Sequence, residues 1–346
     1  MSGRLPPPSD GFTLAFLDKV ERILSTGGFT STYKFALLIA LANLAVEQGD
    51  DSGEPLELDL DDVARHFLAL YWGMARPYPG VSKVLVLRQS TLEQKPSTMI
   101  TMLGDATRHA ASSYARLRTH QTGRDGLVGS TRRTIAKDVL YRLQNVPTGD
   151  GRERSMDRFL YEHPPTAKEC GRLRSITLLP GVGACLRRLH GVIVSMVQAR
   201  WTRFVRENNP SLGPDRELES FLFGADRRSV SQYAERLYEL QGGRCFYTHA
   251  RLLRPRAAEV DHFIPWSRYP WDSPFNLVLA SAAANQHKRD RLAPSEALDR
   301  WLDRNDRCLE ELIAPPPKGF GAAIGDRATA RTVAAWIYRR YERDIA

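Results

Sequence analysis

An aspartate and a histidine stand side by side at Asp261-His262, with Asn276 fourteen positions after the histidine and Asn285 nine further on. An imidazole exchanges protons near neutral pH, so His262 has the chemistry of a general base, a role worth roughly 10²–10⁴-fold in rate. Carboxylate and amide oxygens are hard donors and suit a divalent cation such as Mg²⁺. Lys288 and Arg289 follow about one helical turn after Asn285, where their charges suit phosphate groups. Cys245 and His249 also lie close in sequence, but two isolated ligands do not make a zinc site.

Such residues act together only if the fold gathers them. Ala258-Glu-Val260 reads as a short extended piece running into Asp261-His262-Phe-Ile-Pro265, where the proline stops the strand. A loop of aromatic, Pro and Asp residues spans Trp266 to Phe275. Asn276-Leu-Val-Leu279 predicts a second short strand, and a helix-like stretch containing Asn285, Lys288 and Arg289 follows. The expected order is strand, loop, strand, helix.

That order and those residues resemble the HNH nuclease family, whose ββα-metal motif reads Asp-His-(apolar)2-Pro, then Asn-Leu-Val, then Asn-x-x-Lys. All three blocks occur within Gly242 to Leu292, roughly a seventh of the chain. The resemblance implies metal-dependent hydrolysis of phosphodiester bonds in DNA, one strand per site. His262 is then the base, and Asp261 and Asn285 hold Mg²⁺ or another divalent ion such as Mn²⁺. His287 is an alternative ligand, because some family members use His in this helix. Asn276 would brace the loop and orient His262, and Lys288 and Arg289 would hold flanking phosphates. Many members also carry two CxxC pairs around a structural zinc. Here only Cys245 survives of the first, and Ser281-Ala-Ala-Ala284 stands where the second would fall. No structural zinc is expected, with Phe246, Tyr247, Leu253 and Leu279 packing in its place. The competing reading is a non-catalytic or partner-activated nucleic-acid-binding subunit of a multi-protein complex.

The rest of the 346-residue chain reads as helical. Thr32 or Ser31 can cap a helix carrying Phe35, Leu38, Ile39, Ala42 and Val46, apolar on nearly all faces and so destined for a core. Further helices are expected near 60–75, 97–119, 131–144 and 183–206. Trp201 and Phe204 continue the apolar stripe of the last one, which assigns them to packing rather than to base stacking. Turn-rich Pro147–Arg152 and the helix stop Asn208–Pro214 read as linkers; Pro315–Gly321 separates C-terminal helices at about 295–313 and 327–344. The fold class expected is mainly α with a small α+β part. A helical domain spans 1–214, an HNH domain with leading helices 215–293, and a C-terminal helical extension 294–346.

Charge is unevenly placed on this chain of net +9. Residues 1–80 hold six basic and eleven acidic side chains, enough to dock a partner protein or restrain the basic remainder. Residues 106–142 hold eight basic and two acidic side chains, and Arg108, Arg116, Arg118, Arg132, Arg133 and Lys137 are candidates for nucleic-acid contact. The longest apolar run, Phe35 to Ala42, is far short of the roughly 20 residues of a membrane span. The N-terminus lacks the apolar stretch of a signal peptide, so the cytoplasm is expected. A helical region ahead of an HNH segment resembles bacterial restriction and anti-phage defence nucleases, some of them subunits of larger systems.

Overall fold

The computed structural model describes residues 3–79, 86–91, 98–109, 121–147, 154–212, 217–224, 230–313 and 326–341. The chain is mainly helical, with three two-stranded antiparallel sheets among the described residues. It divides into two compact units, one of residues 1–105 and 122–223, the other of 106–121 and 224–346. The division falls after Phe223, beyond the helix stop at Asn208–Pro214, and residues 294–346 share a unit with the HNH segment.

The first unit is built around α2 (Tyr33–Gln48). Twelve of its sixteen residues are buried, as an all-round apolar helix requires. Around it lie α1 (Asp10–Thr26), α3 (Leu60–Met74), α4 (Thr98–His109) and α5 (Gln121–Thr134), the last running into a π-helical stretch, Ile135–Leu140. The helix expected at 183–206 is two, α6 (Val182–Arg188) and α7 (His190–Glu207), broken where Leu189 leaves helical geometry. Trp201 is fully buried on α7, with its indole N–H on Gln89 at 2.9 Å, and Phe204 is buried beside it. Thr32 precedes α2 without capping it by its side chain; its hydroxyl is spent on the Tyr71 hydroxyl at 2.5 Å. Strand β1 (Leu56–Asp59) pairs with β4 (Ser175–Leu178), and β2 (Asn145–Pro147) with β3 (Arg154–Met156). Residues 148–152 of the first expected linker, and all of 315–321, lie outside the described residues.

The first unit ends with α8 (Leu218–Phe223); in the second, α9 (Ala234–Leu240) precedes the sheet of β5 (Glu259–His262) and β6 (Leu277–Ala280). Helix α10 (Ala282–Lys288) follows, capped by the Ser281 hydroxyl on the Ala284 N–H, and packs against β5. All four residues of β6 are buried. Two helices from the C-terminal region cover the loop between the strands: α11 (Ser295–Arg307) and, after the single turn α12 (Leu309–Ile313), α13 (Arg327–Arg340). Phe263 stacks on Trp301 of α11 at 4.8 Å between ring centroids, and Tyr269 meets Trp336 of α13 edge-on at 6.3 Å. The C-terminal helices are therefore part of the core beneath the candidate site.

Arg304 of α11 is the polar counterpart of that packing. Its guanidinium donates to the Leu277 carbonyl at 2.8 Å and to the Phe275 carbonyl at 2.9 Å, on either side of Asn276. Burial pulls its pKa down to about 10, which leaves it charged at neutral pH. Replacing Arg304 with Leu keeps the stem but strips both carbonyls of a charged donor, at an expected cost of about 2–4 kcal/mol. Trp266, Trp271, Trp301 and Trp336 all lie in this unit, so urea unfolding followed by tryptophan fluorescence reads the loss. An unchanged midpoint in R304L would show that the clamp contributes nothing.

Candidate active site

Strands β5 and β6 pair with Asp261 opposite Val278 and His262 opposite Leu277. The fourteen residues joining them, Phe263 to Asn276, form no ladder, so side chains must set their path. Asn276 does most of this. Fully buried, it accepts from the Ile264 N–H at 2.8 Å and donates to the Ile264 carbonyl at 3.1 Å and the Trp271 carbonyl at 3.3 Å. Its own carbonyl takes the Phe263 N–H at 2.7 Å. A carboxamide offers both donors and acceptors, and no apolar or purely anionic side chain of that size could close the same loop.

The loop thus fixed carries Asp272 back to the end of β5. His262 donates from Nε2 to Asp272 Oδ1 at 2.6 Å, and its ring lies against Trp266 at 5.2 Å. Because the carboxylate only accepts, this contact puts the ring proton on Nε2 and leaves Nδ1 as a bare acceptor. Asp272 was not singled out from the sequence. Its one signal is being the sole carboxylate among the fourteen loop residues.

Glu259 and Asp261, two apart on β5, face helix α10. Asp261 Oδ2 accepts from the Tyr247 hydroxyl at 2.6 Å and from Lys288 Nζ at 3.0 Å. Burial, and then the Asp261 charge, push the Tyr247 phenol well above its ordinary pKa, so it acts as a neutral donor. Asn285 donates from Nδ2 to Glu259 Oε2 at 2.6 Å. That contact commits the amide nitrogen to Glu259 and leaves the Asn285 oxygen for another partner.

Among the described residues no cluster of three or more His, Cys, Asp or Glu side chains is arranged for a metal ion. A carboxylate and an amide oxygen still fit Mg²⁺, which is commonly held by one or two carboxylates together with substrate phosphates and water. His287 is not brought to Asp261. Two residues after Asn285, it points about 200° around the helix and lines a surface groove with Gln286, Arg289 and Arg291.

Lys288 differs from the sequence expectation. Its ammonium is buried, paired with Asp261 and bonded to the His262 carbonyl at 2.9 Å, so it locks α10 onto β5 instead of meeting flanking phosphates. Arg289, just past the helix at a φ of 52°, is exposed and holds only the Gln286 carbonyl. Arg132 is also corrected: it is buried against Asp61 at 2.7 Å and cannot reach a nucleic acid. Arg133 and Lys137 are exposed. Arg116, Arg118 and the side chain of Arg108 lie outside the described residues.

Where two CxxC pairs would sit, hydrogen bonds hold the turn. Gln241 donates to the Leu279 carbonyl and accepts its N–H, both at 2.8 Å, and Ser281 donates its N–H to Cys245 Sγ. Burial alone would raise the Cys245 thiol, but hydrogen bonds from Thr248 and from backbone N–H groups outweigh it and hold the pKa below its usual value. Phe246 and Leu279 are buried, as a packed replacement for zinc demands, whereas Leu253 is 93% exposed and packs on nothing.

Residues 245–294 match the family model for HNH endonucleases, and this part of the chain belongs to the HNH family. The matched span contains Tyr247, Asp261, His262, Asp272, Asn276, Asn285 and Lys288, and so defines a nuclease-type domain. No curated protein matches the chain.

Substituting Asn276 tests the loop closure. Asn276→Ala strands the Ile264 N–H and two carbonyls in a buried site, and about 2–4 kcal/mol of stability should be lost. Asn276→Asp keeps the acceptor for Ile264 and should lose less only if the carboxyl is protonated. Denaturant titration ranks the three proteins, and an alanine variant as stable as the parent would contradict the bracing role.

Proposed function

We propose that the chain is a metal-assisted HNH endonuclease that hydrolyses phosphodiester bonds in DNA, with one strand cut per site. The observation carrying this reading is the 2.6 Å contact of Asp272 with His262 Nε2, which turns Nδ1 into the proton acceptor a hydrolytic base needs. In this reading Nδ1 takes a proton from water, the water oxygen bonds to phosphorus, and the bond from phosphorus to the 3′ oxygen breaks. The departing oxygen is protonated from solvent. Asp272 keeps the ring from turning and faces the positive charge that the ring acquires.

Asp261 and Asn285 are the residues that would hold a divalent ion, Mg²⁺ or Mn²⁺, and the ion when bound would neutralise charge on the phosphate and the departing oxygen. Lys288 and Tyr247 hold the second oxygen of Asp261 and so orient its carboxylate. Arg289 is the exposed cation of this group and suits a flanking phosphate.

The setting we infer is the cytoplasm, where the free thiols of Cys170, Cys185, Cys245 and Cys308 are at home. No helix among the described residues is long and apolar enough to cross a membrane. A helical unit joined to an HNH domain fits a restriction or anti-phage defence nuclease, alone or with other subunits, an assignment supported by architecture alone.

Nicking of supercoiled plasmid with Mg²⁺ tests the site. His262→Ala should lose at least about 100-fold in rate. Asp272→Asn, which keeps shape but can hold the wrong tautomer, should lose roughly 10- to 1000-fold with little change in DNA affinity. Nicking by H262A equal to the parent would end the catalytic assignment. Activity of the parent only in the presence of neighbouring gene products would favour the partner-activated reading.

A further inference from the structure

Residues 242–258 contain four arginines, Arg244, Arg251, Arg254 and Arg256, and no acidic residue. They form a hairpin shaped by its backbone. Gly242 and Gly243 sit at φ 60° and 68°, His249 at φ 58°, and Arg244 bridges Arg251 across the turn. A Cβ on Gly243 would come within 3.0 Å of the Tyr238 ring, so the tight entry to the hairpin depends on glycine there.

All four guanidinium groups belong to exposed residues. Among the described residues the single carboxylate within 4 Å of any of them is Glu235, 3.9 Å from Arg256, with both side chains largely in water. A pair so exposed offsets little of the charge. Beyond the Arg244–Arg251 bridge, at the open end of the hairpin, stands Leu253, 93% exposed, with Arg251 two positions before it and Arg254 next to it. Its neighbour Leu252 is buried, with its N–H on the Gly243 carbonyl and its carbonyl on the Tyr238 hydroxyl at 3.2 Å. The position of Leu253 is therefore held from beneath.

We infer that this hairpin is a duplex-DNA grip, in which Arg251, Arg254 and Arg256 hold phosphates and Leu253 makes apolar contact within a groove. The placement is right for the nuclease centre. Tyr247, on the same hairpin, donates to Asp261 at 2.6 Å. Arg256 lies six residues before His262. At most about 20 Å of extended chain separates them, the length of about six base-pair steps. An exposed apolar side chain with arginines close by in the chain is a combination by which proteins enter a DNA groove. The inference rests on the nuclease reading only for the identity of the polyanion.

The test separates grip from catalysis by measuring binding without cleavage. The full chain carrying H262A is titrated, in EDTA, onto a fluorescently labelled 30-base-pair duplex across a range of salt concentrations. Adding Arg251→Ala, Arg254→Ala and Arg256→Ala together should weaken binding on the order of tenfold or more and lower the slope of log K against log salt by about 2–3, near 0.9 for each lost phosphate contact. Leu253→Ser should weaken binding several-fold with the slope unchanged. These side chains lie at the surface, so the thermal midpoint should match the parent.

An unaltered slope and affinity in the triple variant would overturn the proposal. So would a loss seen on single-stranded DNA or RNA but not on the duplex, or no duplex binding by the H262A chain at low salt. Failure of the parent to nick plasmid would instead sink the catalytic reading and leave the binding result to stand on its own.

Discussion

A fourteen-residue loop between two four-residue strands has no backbone ladder to hold it, and the candidate chemistry depends on one of its side chains. Asp272 reaches His262 only if the loop returns along a single path. Asn276 imposes that path from inside, joining Ile264 and Trp271 through one carboxamide. Arg304 imposes it from outside, holding the carbonyls that flank Asn276. Each is buried, and their side-chain hydrogen bonds go to backbone groups of residues other than His262. The rigidity of the imidazole is thus borrowed from amide and guanidinium hydrogen bonds one layer below it, and from the stacked Phe263 and Trp301 beneath those. This explains why residues 294–346 share a compact unit with the HNH segment: without α11 the loop would lose its outer clamp.

The surroundings of Asp261 follow from a second constraint. A half-buried carboxylate needs donors, and Tyr247 and Lys288 supply two to the same oxygen. Lys288 then joins three parts at once, because its ammonium also takes the His262 carbonyl and lies 5.7 Å from the centre of the Tyr247 ring. A lysine so placed balances the charge of Asp261 and pins α10 at one height along β5. Asn285, on the same helix, is kept in register with Glu259 by that pin.

The blocks Asp261-His262, Asn276 and Asn285 were legible in the sequence because the backbone that serves them is local: two short strands and a helix with a serine cap. The loop partner Asp272 was not, since nothing in one sequence says which way an irregular loop turns. Lys288 was read as a free cation because its spacing from Asn285 places it on the helix face without saying what that face meets; the strand beneath made it a buried one. Arg132 failed for the same reason, while its neighbour Arg133, one position on, faces water. The apolar stripe of α7 was readable as core, but the interruption at Leu189 was not, because no proline stands there and Gly191, two positions on, lies inside the second helix. Leu253 shows the reverse error. Hydrophobicity assigned it to packing, yet Leu252 had already taken the inward position, and the turn left its neighbour in water.

The missing CxxC pairs bear on charge as well as on packing. Four cysteine thiolates around one Zn²⁺ carry a formal charge of about −2. Here the same turn is closed by Gln241, by the Ser281 N–H on Cys245, and by main-chain bonds, none of which carries charge. The four arginines of the hairpin are therefore not offset from within, as they would be over a tetrathiolate centre. A neutral closure lets the turn keep its shape while its surface becomes strongly positive. In the nuclease reading that would be a useful property, because a basic surface lowers the cost of bringing a polyanion beside the Asp261 carboxylate.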